Sequence, residues 1–365
     1  MIPLFDARRQ YQSIKEEIDE AVLDCLESGW YILGDRLTSF EKQFASFLGA
    51  DHAVGVGNGA DAIRLCLKAL GVNKGDSVVT AANTAIPTAM AIIDAGCKPL
   101  FADIDERTWN IDPRKLPESL DADTTAIVPV HLYGRPAAMH DIMKFANAHD
   151  LFVIEDCAQA HGAKIGDQMV GTFGHASAFS FYPSKNLGAA GDAGMAVTAD
   201  DETAKRLRIL RHYGQSNRYE ASMRGVNSRL DEIQAAILSV KLRHLERWTR
   251  RRRKIAAAYQ DAFSALPLQW PEDSPEVSSV FHLFVVRLAA RDNFMSHMRD
   301  AGVSTQIHYP IPLPFQPALK YLKYRPGDFP VSETLAKEII SLPLFPEMTD
   351  EEVETVIESV KSFFS

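Results

Sequence analysis

The stretch AFSFYPSKNLGAAGDAG, residues 178–194, decides how the rest of the chain is read. Ala178 to Phe181 is strand-like, a Pro183-Ser184-Lys185-Asn186 turn follows, and small residues and glycines come next. Lysine is rarely a core residue. Yet Lys185 stands where an apolar strand runs out, in a segment too glycine-rich for a plain surface helix. Alone, it reads as an ordinary surface lysine. A buried lysine, however, sheds part of its charge, and the free amine attacks aldehydes. Ser180, five residues upstream, offers a hydroxyl to an anion on the same partner.

The neighbours of Lys185 change its reading. In LFVIEDCAQAHG (151–162), Leu151–Ile154 reads as a buried strand that runs into Glu155-Asp156. A carboxylate at the end of a central strand is costly unless a positive group meets it. A protonated pyridine nitrogen would serve, and Gln159 is placed to reach the ring or its hydroxyl. The competing role for Asp156 is a helix cap. Glu155 and His161 lack HExxH-type spacing, so no metal is expected.

The stretch HAVGVGNGADAIRLCLKAL (52–70) is a short strand, a Gly57-Asn58-Gly59 turn and a helix from about Ala60. Glycines allow close backbone approach, and free amides at a helix N-terminus bind phosphate. Gly55, Gly57 and Ala60, with Asp76 further on, also resemble a dinucleotide fingerprint. That reading leaves Lys185 and Asp156 without a role. One cofactor accounts for a phosphate cradle, a strand-end aspartate and a strand-end lysine together: pyridoxal 5'-phosphate. In RGVNSRLDEIQAA (224–236), Asn227 and Arg229 precede a long helical pattern, with Ser228 or Asn227 as its expected cap.

Seven short apolar runs, at 52–56, 77–82, 99–102, 126–130, 151–154, 176–181 and 195–198, mark strands. Helical patterns at 60–70, 85–95 and 137–148 lie between several of them. Such alternation predicts an α/β fold, a mainly parallel sheet sandwiched by helices, with ligands at the carboxyl ends of the strands. Further helices are predicted at 10–28, 228–245, 250–263, 293–301, 332–341 and 350–364, and a strand at 281–288. The expected division is a large domain, 1–246, and a smaller C-terminal α+β domain, 247–365.

The bulk properties bound the function. The 365 residues are 46% hydrophobic, ample for a core, and carry a formal net charge of -9, which disfavours nucleic-acid binding. The RRRRK run (250–254) reads as a solvated helix face. Four scattered cysteines without a CxxC pair suggest reduced thiols. No stretch approaches the roughly 18 apolar residues of a membrane span, and MIPLFDARRQ has no signal core. A cytoplasmic protein is expected.

SFYPSKNLG, EDCAQAHG, VHLYG (130–134), GNGADAI and NSRLDEIQAAIL, in this setting and order, resemble the DegT/DnrJ/EryC1/StrS family of nucleotide-sugar aminotransferases. The likeness begins at PLFDARRQY and covers nearly the whole chain. It implies the type I fold of pyridoxal-phosphate transferases, the fold of aspartate aminotransferase. Lys185 would hold the cofactor, Asp156 would pair with its ring nitrogen, and Gln159 would contact the ring or its hydroxyl. Ser180, the amides of Gly59 and Ala60, and Asp61 would bind the phosphate. Asn227 would reach the phosphate of a partner subunit, which implies a homodimer with shared active sites. Tyr31, Arg229, His308 and Tyr309 are candidate substrate contacts.

Two departures stand out. Family members often stack an aromatic residue on the ring, but AANTAIPTA places Ala85 there. Pro314 stands where a histidine is expected. The implied reaction moves the amino group of L-glutamate, through pyridoxamine phosphate, to a nucleotide-linked keto sugar. The motif blocks look most like members that make 3-amino-3,6-dideoxyhexoses on dTDP. Transfer to C4 is the second reading. A sugar dehydratase is disfavoured because such relatives lack the lysine, and a non-catalytic sugar sensor because lysine, aspartate and phosphate loop are all present.

Overall fold

The computed structural model describes residues 1–365. Its central sheet contains β1 (His52–Val56), β2 (Ser77–Ala81), β3 (Lys98–Ala102), β4 (Thr124–Val128), β5 (Phe152–Asp156), β6 (Ala176–Ser180) and β7 (Gly194–Thr198). These are the seven runs expected from the sequence. The spatial order is β1-β7-β6-β5-β4-β2-β3. Only β7 runs against its neighbours, pairing antiparallel with both β1 and β6; the remaining pairs are parallel. Six carboxyl ends therefore share one edge.

Alternation of side chains across the strands builds two cores. Val54, Val56, Ala176 and Ala178 face the Gly59–Leu70 helix, burying Ile63, Cys66 and Leu67. Ala53, Phe179, Met195 and Val197 face the other way, against Leu37, Phe40 and Phe44 of the Asp35–Leu48 helix. Ser180 continues the first face, so it emerges beside the helix that begins at Gly59.

The C-terminal region forms a separate core around Phe284, Phe294, Phe345 and Val356, joined by Ile2 from the chain's start. The 228–245 and 250–263 patterns are one continuous helix, Glu232–Phe263. Residue 246 lies inside it. Ala235 and Leu238 pack in the large core, and Ile255, Tyr259 and Phe263 pack in the C-terminal one. The N-cap position is Asp231, whose side chain makes no capping bond, and not Asn227 or Ser228. Ser228 instead accepts from the Gly57 amide (3.0 Å) and donates to Asp61 (2.5 Å).

Three other expectations are corrected. The 10–28 helix breaks at Ile14 (φ -139), giving Ala7–Ser13 and Lys15–Ser28. The 332–341 helix ends at Glu338, and Ile339–Leu342 pairs antiparallel with Phe284–Arg287, a setting that suits β-branched residues. The RRRRK run is not simply a solvated face. Arg252 is 2% exposed and donates to the carbonyls of Phe281, His282 and Leu344. Loop carbonyls that enter a core need donors, and a guanidinium meets several at once.

Phe44 is fully buried and meets Phe179 and Phe181 edge-on at 5.0 and 5.3 Å between ring centroids. Phe44→Ala is expected to lower stability by about 3–5 kcal/mol. Urea unfolding would show this as a lower midpoint with an unchanged slope; an unchanged midpoint would contradict the packing described.

Candidate active site

Loops at the carboxyl edge of the sheet enclose a cavity of about 520 Å³. Lys185, Asp156, Gly59, Ala60, Gln159, Ser180 and Tyr309 line it together. A larger surface groove, about 870 Å³, contains none of them. Several of its charges pair with each other, as in Arg107–Glu272 (2.6 Å) and Arg114–Asp112 (2.9 Å).

Lys185 follows the end of β6 on a turn closed by its own amide to the Tyr182 carbonyl (2.8 Å). The side chain is half-buried. Burial pushes its amine down to about 8, against the opposing pull of the Asp156 charge. About a tenth is then free base at pH 7, far more than for an ordinary lysine, and attack on an aldehyde requires that form.

Asp156 ends β5 and is 4% exposed. Its carboxylate accepts from Thr88 Oγ1 (2.8 Å) and from the Ala158 amide (3.1 Å). No basic nitrogen lies within ion-pair distance. Burial raises its pKa, although Thr88, Ala158 and the Lys185 charge act in the opposite direction. Such a group calls for a cation in the cavity. The neighbouring Glu155 does different work. It is fully buried and accepts from the amides of Gly171, Phe173 and Gly174 (each 2.8 Å), and from His131 Nε2 (3.0 Å). The Ala137 amide donates to His131 Nδ1, so Nε2 carries the proton. His131, Glu155 and Cys157 cluster closely enough to suggest a metal site. Their hydrogen bonds, however, occupy the carboxylate oxygens and both ring nitrogens, leaving a scaffold beneath Asp156. His161, packed between Phe179 and Phe181, belongs to the core.

β1 ends in the turn that starts the Gly59–Leu70 helix. Asn58 caps it by accepting from the Asp61 amide (2.8 Å). The Gly59 and Ala60 amides lie in the first turn, without intrahelical acceptors. A Cβ at Gly59 would lie 2.7 Å from Ser180 Cβ. Only glycine lets this helix end meet β6 so closely, and together they form an anion cradle. The dinucleotide alternative loses support, because Asp76 is turned to the Asn73 amide and Thr125.

Gln159 accepts from the Tyr133 amide (2.7 Å) and donates to the Tyr309 hydroxyl (3.2 Å). One amide hydrogen remains for a ligand. Ala85 lines the cavity at the start of the Ile86–Asp94 helix, so no aromatic ring occupies that place.

Five other candidates do not line the cavity of this chain. Asp61 is held by Ser228 and by Arg64 (2.6 Å). Asn227 is exposed, and its main chain bridges to His212. Arg229 contacts His212 Nδ1 (3.2 Å) and sits over the Tyr213 ring. Tyr31 is 45% exposed. His308 bonds Ser341 Oγ (2.8 Å), and its carbonyl accepts from Tyr133. The sequence reading missed Asn58, Thr88, Tyr182, Asp192 and Gln316, which line the cavity. Thr88 left a trace, as a polar residue within an apolar helix. Asp192 and Gln316 left none, since loops place them.

The residue set fits pyridoxal 5'-phosphate. A buried carboxylate without a cation, a partly neutral amine and a glycine-formed amide cradle face one space of suitable size.

The comparisons agree with this geometry. Residues 12–361 match the model of the DegT/DnrJ/EryC1/StrS aminotransferase family. The chain is 45% identical to the dTDP-3-amino-3,6-dideoxy-alpha-D-galactopyranose transaminase of Aneurinibacillus thermoaerophilus, over 100% of this chain and 99% of that one. It superposes on the crystal structure of DesV from S. venezuelae, which holds a ketimine intermediate. The TM-score is 0.97 at 40% identity, covering 99% of this chain and 98% of that one. NtdA of Bacillus subtilis, solved with bound PMP, gives a TM-score of 0.93 at 30% identity, with coverage of 99% and 84%. The chain belongs to the DegT/DnrJ/EryC1/StrS aminotransferase family.

Proposed function

We propose that this protein is a pyridoxal-phosphate-dependent aminotransferase that carries the amino group of L-glutamate to C3 of a dTDP-3-oxo-6-deoxyhexose, giving a dTDP-3-amino-3,6-dideoxyhexose. The observation that carries the reading is the convergence of Lys185, Asp156 and the Gly59–Ala60 amides on one cavity. The choice of C3 rests on likeness to transaminases whose names place the amino group there.

When bound, the cofactor supplies an electron sink for the charge that develops as a proton leaves the amino donor. Asp156 would pair with the ring nitrogen and keep it protonated. Gly59, Ala60 and Ser180 would hold the phosphate, and Gln159 would orient the ring through its free amide hydrogen. Lys185 Nζ would anchor the aldehyde carbon and, once released, move the proton between donor and cofactor carbons as a general base. Tyr309, whose hydroxyl burial pushes up to about 12, stays protonated and would donate to substrate.

The shared-site homodimer is part of the proposal. Asn227 lies exposed, outside the chain's own cavity, and would reach the phosphate in the partner's. Trp30, Tyr31 and Ile32, exposed at 63, 45 and 40%, offer apolar surface for the contact. Arg229 and His308 are proposed only as groups that shape the approach to the cavity. No helix is long and apolar enough to cross a membrane, and all four cysteines are free and buried. These features suit the cytoplasm.

Incubating the protein with pyridoxal phosphate and then L-glutamate is expected to replace the cofactor's aldehyde spectrum with that of pyridoxamine phosphate. A screen of dTDP-linked 3-keto and 4-keto sugars, with NMR of the product, would locate the amine; an amine at C4 would overturn the C3 assignment. Lys185→Ala should fold normally but lose turnover by at least about 10³-fold, together with the protein-linked visible absorption. An active Lys185→Ala protein would contradict the mechanism. Because deprotonation exposes the nucleophile, labelling of Lys185 in the cofactor-free protein by an amine reagent should accelerate as pH rises through about 8. A midpoint near the ordinary lysine value of 10.5 would show that the amine is not desolvated.

A further inference from the structure

The loop that carries Lys185 is closed at its base by the Ala189 amide on the Phe181 carbonyl (2.8 Å). Two side chains, Lys241 and Asn186, tie it laterally to the rest of the molecule. Lys241 Nζ donates to the Gly188 carbonyl (2.7 Å). The second tie is made by Asn186, the residue after the lysine. Asn186 is 3% exposed. Its amide nitrogen donates to the Val280 carbonyl (3.0 Å), and its oxygen faces His282 Nδ1 (3.1 Å). The nitrogen is spent on Val280, so the oxygen must accept, and Nδ1 of His282 carries the proton.

The anchor itself is rigid. Val280 N and Ser279 Oγ both donate to the Gly134 carbonyl (2.9 and 3.0 Å). On the other side, Arg252 donates to the carbonyls of Phe281 and His282 (3.2 and 3.3 Å). Between the two residues that grip Asn186, Phe281 adopts φ +45, a left-handed conformation that a bulky aromatic residue rarely takes. Such strain persists where the surroundings impose it, and it clusters at functional sites. Gly134 permits the close approach, since a Cβ there would lie 2.8 Å from the His282 amide.

We infer that His282 is a positioning residue, which holds the main chain at Lys185 through the side chain of Asn186. The inference rests on the reading of Lys185 as the cofactor-binding amine. Residues 279–283 are almost a hundred positions away in sequence and do not line the cavity. Val280 and His282 reach the lysine turn itself through one side chain, that of Asn186. Without that grip the lysine keeps its chemistry but loses its aim, and a displacement of about 1 Å at a reacting group costs on the order of 100-fold in rate.

The test compares His282→Phe, which keeps an aromatic ring without a donor, with His282→Asn, whose amide can donate from near the Nδ1 position. Asn186→Ala removes the other partner. Each protein is reconstituted with pyridoxal phosphate. Three quantities are then measured: the rate at which visible absorbance develops, the pH titration of that absorbance, and kcat and KM for L-glutamate. His282→Phe and Asn186→Ala are expected to develop colour more slowly, to shift the titration midpoint and to lose about 10- to 100-fold in kcat, with KM changed less than about threefold. His282→Asn is expected to recover most of the loss. Unchanged spectra and kcat in His282→Phe would overturn the inference. So would equal losses in the Phe and Asn variants that track a common fall in melting temperature, because the role would then be structural. A wild-type protein that develops no colour would instead refute the underlying cofactor reading.

Discussion

The site depends on a carboxylate held in the core with no cation beside it. Asp156 is almost fully buried, is satisfied only by a threonine hydroxyl and one amide, and faces open space. Burying such a group unpaired costs several kcal/mol. The fold bears that cost by fixing what lies next to it. Glu155 is saturated by three amides and a histidine. Thr88 comes from a helix that begins just past β2. The parallel sheet brings these pieces, the glycine turn after β1 and the lysine turn after β6, to one edge. A protonated ring nitrogen would complete the charge balance.

The same constraint explains which parts of the structure were legible in the sequence. All seven strands of the main sheet could be read, since buried parallel strands are short continuous apolar runs ending in turn residues. That Lys185, Asp156, Gly59, Ala60, Gln159 and Ser180 would line one cavity could be read because strand topology sends the ends of β1, β5 and β6 to one place. What failed were judgements that required knowing a tertiary neighbour. The Arg252 side chain sits in a run that looks solvated, yet three carbonyls from distant segments draw it inward. Ser228 resembles a cap, yet it bridges Gly57 and Asp61. Ile339–Leu342 continues a helical period, but hydrogen bonding to Phe284–Arg287 overrides it.

The C-terminal region contributes more than Tyr309 to the site. Tyr133 lies at the centre of this link, with its amide on Gln159, its hydroxyl on the His308 carbonyl and its carbonyl accepting from Leu283. Asn186 makes a parallel link to Val280 and His282. Residues that line the cavity are thus gripped from behind by segments that do not themselves line it. Sequence motifs reveal the gripped residues. The grip itself becomes visible only once the chain is folded, because its two sides lie between 94 and 175 residues apart.

The central claim is that the amine at 185 and the carboxylate at 156 address opposite ends of a single ring. A crystal structure of the protein grown with pyridoxal phosphate tests it most directly. The ring nitrogen is expected within about 3 Å of Asp156, the aldehyde carbon joined to Lys185 Nζ, and the phosphate on the amides of Gly59 and Ala60. A ring bound elsewhere, or bound with its nitrogen turned away from Asp156, would contradict it.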